Sequence, residues 1–263
     1  MKTKVFCLSA RKNFAFFLIL SVLFISTGEI YAQKVSGTRI GYTVSMENPN
    51  NHYFHVSLTY SGLKEKSVEL KLPVWTPGYY MIMDYAKYII EFKASDGSGR
   101  SLEWEKTSKN RWKIDTEKTD VLNVSYDVFA FRTSVADSYL DDGRGFISPT
   151  GIFMHPAGHK DYPVTVTIIP YNKFTAISTG LDPVPGKQNT FYAADFDVLY
   201  DCPILAGTQE ILTFETGGIP YSIAIENLGK IDRLKFTADI KKIVETATSI
   251  IGEVPYRDSW DSF

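Results

Sequence analysis

From Arg39 to about Glu226 the chain alternates apolar and polar residues with a period of two, which sends successive side chains to opposite faces of a sheet. Phe54, Val56, Leu58 and Tyr60 follow this pattern, as do Val68, Leu70 and Leu72. It returns at Leu122, Val124, Tyr126, Val128 and Ala130, and again at Val164, Val166 and Ile168. Turn chemistry separates the runs: Asn48-Pro49-Asn50-Asn51, Asp96-Gly97-Ser98-Gly99, Asp142-Gly143, Asp182-Pro183 and Pro185-Gly186. Short strands punctuated in this way predict a mainly β fold, an antiparallel β-sandwich.

After Gly229 the spacing becomes helical. Leu234, Ile240, Ile243, Val244, Ala247, Ile250 and Ile251 fall on a helical period, with Asp232 placed to cap the start and Gly252 then Pro255 to end it. The helix has an apolar face, yet only a strand from Tyr221 to Ile225 and a short closing segment accompany it, too little for a core of its own. Three readings follow: the helix packs on the sandwich, on another chain, or on residues of a further domain.

The first residues read as a signal peptide. Lys2, Lys4, Arg11 and Lys12 precede an apolar run from Phe14 to Ile25, too short to span a bilayer comfortably, and small residues lead to an expected cleavage after Ala32. The expected organisation is therefore a signal peptide at 1–32, a sandwich at 33–215 and a strand-plus-helix unit at 216–263. The protein is expected to be exported, periplasmic or extracellular, with no membrane association after cleavage. The mature chain has a net charge of about −5 and mixed surface charge, which gives nucleic acid no attractive field. Cys202 alone remains after cleavage, so no internal disulfide can form and a core must supply the stability. A composition 44% hydrophobic and 14% aromatic suffices for one.

Catalytic patterns are missing. A gluzincin site needs two His four apart on one helical face, an intervening Glu and a third ligand. His155 and His159 have the spacing, but Pro156 and Gly158 lie between them and no Glu does. His52 and His55 open a strand at an odd separation, which places them on opposite faces. There is no Gly-x-Ser-x-Gly elbow, and Cys202 sits in an apolar run without a neighbouring His. No catalytic or metal-ligating residue is assigned, and no cofactor is expected of these residues.

Two clusters remain as candidate groove-lining or substrate-facing positions. In Leu72-Pro73-Val74-Trp75-Thr76-Pro77-Gly78-Tyr79-Tyr80, Pro77-Gly78 suits the centre of a type II turn, and Trp75, Tyr79 and Tyr80 either pack as a lid on the sandwich or line a ligand groove. The second cluster holds Arg132 and Asp137, followed by Asp141-Asp142-Gly143-Arg144; it either takes a peptide terminus or calcium, or is solvated turn chemistry.

With Asp197-Val198-Leu199-Tyr200-Asp201-Cys202-Pro203-Ile204-Leu205-Ala206-Gly207, these clusters carry a resemblance. The chain resembles the N-terminal region of the glycyl aminopeptidase family, the sixty-first family of metallopeptidases, of gluzincin type. Leu72 to Tyr80 matches that family's Leu-Pro-x-Trp-x-Pro-Gly-x-Tyr signature, and Val124 to Val128 leading to Arg132 looks like its strand before a charged turn. Arg132 here precedes Ser134-Val135, and Asp137 stands where the family's arginine is expected. The resemblance spans about residues 36 to 256. It implies a non-catalytic β-rich first domain, then a thermolysin-like domain whose His-Glu-x-x-His motif and glutamate hold zinc. On that layout Ile219 to Tyr256 is the start of the peptidase domain, and the chain is cut before the zinc motif. The implied partners are the missing peptidase domain in cis and the peptide substrate of the intact enzyme. The alternative is a free-standing exported module that binds a peptide or glycan.

Overall fold

Strand β2 (Tyr53–Ser61) shows how the period-two pattern becomes structure: Phe54, Val56, Leu58 and Tyr60 are almost wholly buried while their neighbours are half-buried or exposed. In the computed structural model, which describes residues 39–252, its register aligns this face with the buried faces of both neighbours. Val56 stands opposite Val44 of β1 (Ile40–Ser45) and Tyr126 of β7 (Val121–Phe129), and Leu58 opposite Tyr42 and Val124. The expected cleavage region at 1–32 and the closing residues 253–263 lie outside the described residues.

These strands are the centre of a seven-stranded sheet. Its order is β13 (Asp182–Pro183), β14 (Thr190–Ala193), β11 (Val164–Ile169), β1, β2, β7 and β4 (Ile89–Asp96). Neighbours run antiparallel except β1 and β11, which pair in parallel from Ile40–Val164 to Ser45–Ile169. The second layer consists of two four-stranded sheets. One has the order β10 (His155–Pro156), β3 (Ser67–Lys71), β6 (Arg111–Asp115), β5 (Trp104–Ser108). The other runs β12 (Ala176–Thr179), β15 (Ile204–Gly207), β9 (Gly145–Ile147), β8 (Tyr139–Leu140). Buried residues of all three sheets form one hydrophobic cluster. Each large side chain removed from water contributes on the order of 1.5–3 kcal/mol. Phe92 of β4 joins the layers, stacked 6.3 Å from Tyr126 and 5.6 Å from Trp112 of β6.

Asp182-Pro183, expected as a turn, is instead a short edge strand. Proline is tolerated there because an edge position requires no ladder donor. The turn falls at Pro185-Gly186, where Gly186 has φ 74°.

The remainder adds no strand to the three sheets. Strands β16 (Glu210–Thr216) and β17 (Ile219–Ile225) form their own two-stranded sheet, so a division at 215/216 falls within one hairpin. Besides the short helix α1 (Phe196–Tyr200), the fold has a long helix, α2 (Arg233–Ile251). The Asp232 carboxylate caps α2 by accepting from the Lys235 amide at 3.0 Å, and Gly252 ends it at φ 96°. Ion pairs from Arg233 to Glu210, and the Thr216 hydroxyl donating to Glu245 at 2.9 Å, hold α2 on the hairpin. Phe236, Ile240 and Val244 are half-buried, while Leu234 is 86% and Ile250 80% exposed. Among the described residues no helix is long and apolar enough to cross a membrane.

Candidate functional site

The aromatic segment leaves β3 through Leu72, which is anchored in the core. The Leu72 amide donates to the Asn110 carbonyl at 3.0 Å, and the Asn110 side chain returns a bond to the Leu72 carbonyl at 2.6 Å. The chain then turns over Thr76-Pro77-Gly78-Tyr79. Gly78 has φ 74°, as a type II turn demands at that position, and the Tyr79 amide donates to the Thr76 carbonyl at 3.2 Å. A bond from the Met83 amide to the Val74 carbonyl at 2.7 Å closes the base. The side chains at the tip point outward: Trp75 is 55%, Met81 61%, Ile82 70% and Tyr80 100% exposed, with Tyr79 half-buried. The segment is a preformed apolar projection and does not pack as a lid.

Beside it lies the loop from Arg132 to Ser138. The Tyr85 hydroxyl donates to the Ala136 carbonyl at 2.8 Å, and the Arg132 guanidinium donates to the Tyr88 hydroxyl at 3.3 Å. Arg132 also stands 3.5 Å from the Asp137 carboxylate, which is buried while Arg132 is exposed. The Tyr88 bond, then Asp137, and then lesser contributions that include Tyr79 hold the guanidinium above its usual value. Burial, with Asp137 adding to it, pushes the Tyr85 phenol up. Val135 at this loop's tip is 79% exposed.

The structure thus brings Tyr79, Arg132 and Asp137 into one neighbourhood, while Trp75 and Tyr80 project into solvent from the aromatic turn. Asp141 is engaged by its own turn. Its carboxylate accepts from the Tyr139 hydroxyl at 2.6 Å and from the amides of Gly143 and Arg144 at 2.9 and 3.0 Å. Although burial pushes the Asp141 carboxyl up, these bonds outweigh it and hold the group below the usual range. The two acidic positions therefore serve different partners, and Asp141 shapes a turn.

The histidines occupy separate places. His55 contacts Asp127 at 2.6 Å, His52 stacks on Phe131 at 3.8 Å, and His159 stacks on Tyr162 at 4.5 Å. His155 is buried in β10 with Nδ1 2.8 Å from the Tyr200 hydroxyl. No group of three or more His, Cys, Asp or Glu among the described residues could hold a metal ion. Cys202 is partly buried against the core.

Sequence reasoning missed Tyr85 and Tyr88, which tie the two loops together across about fifty positions of chain; no local pattern distinguishes them. Met81 and Ile82 carried a signal, since they extend the apolar run beyond Tyr80 at a surface turn.

Three comparisons bear on identity. The Peptidase M61 N-terminal domain matches residues 41–208. The crystal structure of an aminopeptidase N family protein from Idiomarina loihiensis superposes with a TM-score of 0.77 at 33% identity. That match covers 83% of this chain, more than residues 41–208 alone supply, and 38% of the other. An M1 zinc metallopeptidase from Deinococcus radiodurans aligns more distantly, with a TM-score of 0.40 at 13% identity over 67% of this chain and 43% of that one. No curated protein matches. The chain spans well under half the length of the solved Idiomarina relative. With its signature loop, its sandwich and this match over most of its length, the chain belongs to the Peptidase M61 N-terminal domain family, the first domain of a metallopeptidase.

Proposed function

We propose that this chain supplies the non-catalytic N-terminal domain of an exported, zinc-dependent aminopeptidase of the glycyl aminopeptidase kind, and that its sandwich supports and partly walls the catalytic cleft. In this reading the hairpin and α2 open the peptidase domain. The observation that carries it is the pairing of the family match at 41–208 with a helix that follows it and leaves Leu234, Ile243, Ile250 and Ile251 exposed among the described residues. Amide hydrolysis needs a metal-bound water or a polarising cation. The described residues do not fit a zinc ion, so no step of hydrolysis is assigned to them, and zinc belongs to the domain that would follow. Peptide substrates with N-terminal glycine or alanine are expected of the intact enzyme on the strength of the family resemblance. Export rests on the leader pattern at 1–32.

The test is enzymatic. The coding sequence beyond Phe263 should supply a His-Glu-x-x-His segment, and the longer product should release N-terminal glycine with chelator-sensitive kinetics. Chelator-sensitive turnover by a purified chain ending at Phe263, free of contaminating peptidase, would overturn the assignment. A free-standing peptide- or glycan-binding module is the second reading, favoured by the exposed Trp75 and Tyr80. Against it, the Asp141 carboxylate is already occupied by its own turn.

A further inference from the structure

Trp75, Tyr80, Met81, Ile82 and Val135 are all more than half exposed, and they sit on two loops cross-linked by the Tyr85–Ala136 and Tyr88–Arg132 bonds. Scattered surface hydrophobics need no explanation, but exposed apolar residues gathered on two bonded loops mark a surface that something covers. Backbone bonds at both the turn and the base fix the larger loop, so its apolar tip is presented rigidly and covering it requires little ordering.

The patch is joined to the place where the hairpin leads toward α2. Next to Arg132, Phe131 stacks on Tyr139 at 5.3 Å, and the Arg144 guanidinium lies over the Tyr139 ring at 4.9 Å. Arg144 in turn pairs with Glu226, the residue after β17, at 2.5 Å. A line of direct contacts therefore runs from the loop at Phe131 to the connection that precedes α2, on which Leu234, Ile243, Ile250 and Ile251 are exposed.

We infer that the loop 75–82 and the loop 131–135 together form the surface on which the peptidase domain of the same polypeptide docks, with Tyr80, Met81 and Ile82 as its apolar anchors. This rests on the functional reading above. The length of the Idiomarina relative, of which this chain covers 38%, leaves room for such a domain. The charged group beside the apolar residues is the exposed Arg132 guanidinium, held 3.5 Å from the buried Asp137 carboxylate.

The experiment is hydroxyl-radical footprinting, read residue by residue by mass spectrometry, on the chain ending at Phe263 and on the product of the full coding sequence. Docking predicts several-fold slower oxidation of Trp75, Tyr80 and Met81 in the longer protein, with Leu234 and Ile243 protected as well. If Leu234 and Ile243 become protected while Trp75, Tyr80 and Met81 react as before, the docking surface is wrong and the functional reading stands. If the coding sequence supplies no peptidase domain, both fall. As a second measurement, the double variant Tyr80→Ser, Met81→Ser leaves the thermal unfolding of the short chain unchanged and splits the single transition of the long protein into two. One unsplit transition in the long variant would overturn the inference.

Discussion

The Tyr126 hydroxyl, carried by the large sheet, donates to the Ile152 carbonyl of the crossing segment at 2.7 Å. The next two carbonyls are held in the same way, Phe153 by Tyr200 at 3.1 Å and Met154 by Tyr42. Ile152, Phe153 and Met154 are fully buried, so a stretch that leaves a tight turn at Pro149 and pairs with no strand has its acceptors satisfied by three phenols. Burial pushes all three phenols well above their usual value, so they remain donors at any physiological pH.

Tyr126→Phe keeps the ring and orphans the Ile152 carbonyl. A loss of about 1–3 kcal/mol is expected from the desolvated acceptor, measured as a lower denaturation midpoint in urea at unchanged slope. A change below a few tenths would mean that another donor takes over.

His155 predicts an acid-sensitive fold. Burial first, then Lys71 and Lys160, pushes its imidazole down to about 4, with Arg111 adding and Asp197 opposing. The unfolded chain binds a proton near pH 6.5, which folded His155 refuses until about pH 4. Its stabilising contribution is therefore complete above pH 6.5 and is lost as pH falls through that window, up to about 3 kcal/mol. Urea melts of the protein and of His155→Phe from pH 7 to 4 check this; the variant should show a shallower decline.

Gly145 lies where a side chain has no room. A Cβ there would meet the Met46 sulfur at 2.9 Å and a Leu140 methyl at 3.4 Å, both in the core. Gly145→Ala should cost about 1–3 kcal/mol by overpacking. Gly78→Ala meets no neighbour within 4 Å but opposes φ 74°, so its cost comes from backbone strain at the turn. Thermal melts of the two variants separate the two origins when each is paired with a serine substitution at the same position.

At Asp232 the expected effect is local. Asp232→Ala removes the bond to the Lys235 amide and should cost the helix about 1 kcal/mol. Helical circular dichroism should fall while the near-ultraviolet signal of core aromatics such as Trp112 holds, because no residue of α2 is buried in the sandwich.

The alternation of Phe54, Val56, Leu58 and Tyr60, the turns at Asp96-Gly97 and Pro77-Gly78, and the ends of α2 at Asp232 and Gly252 were legible in the sequence. Each depends on side-chain period or on a local backbone demand that neighbouring residues encode. Asp182-Pro183 misled because the same residues serve a turn or an edge strand, and only the position of β14 decides between them. The parallel β1–β11 pair and the bonds of Tyr85 and Tyr88 to the second loop join residues remote along the chain, which no local pattern records. The sequence by itself therefore determined which residues seek the interior and where the chain turns. Only the tertiary structure decided that Trp75 and Tyr80 stay outside, because burial depends on what the rest of the fold places over them.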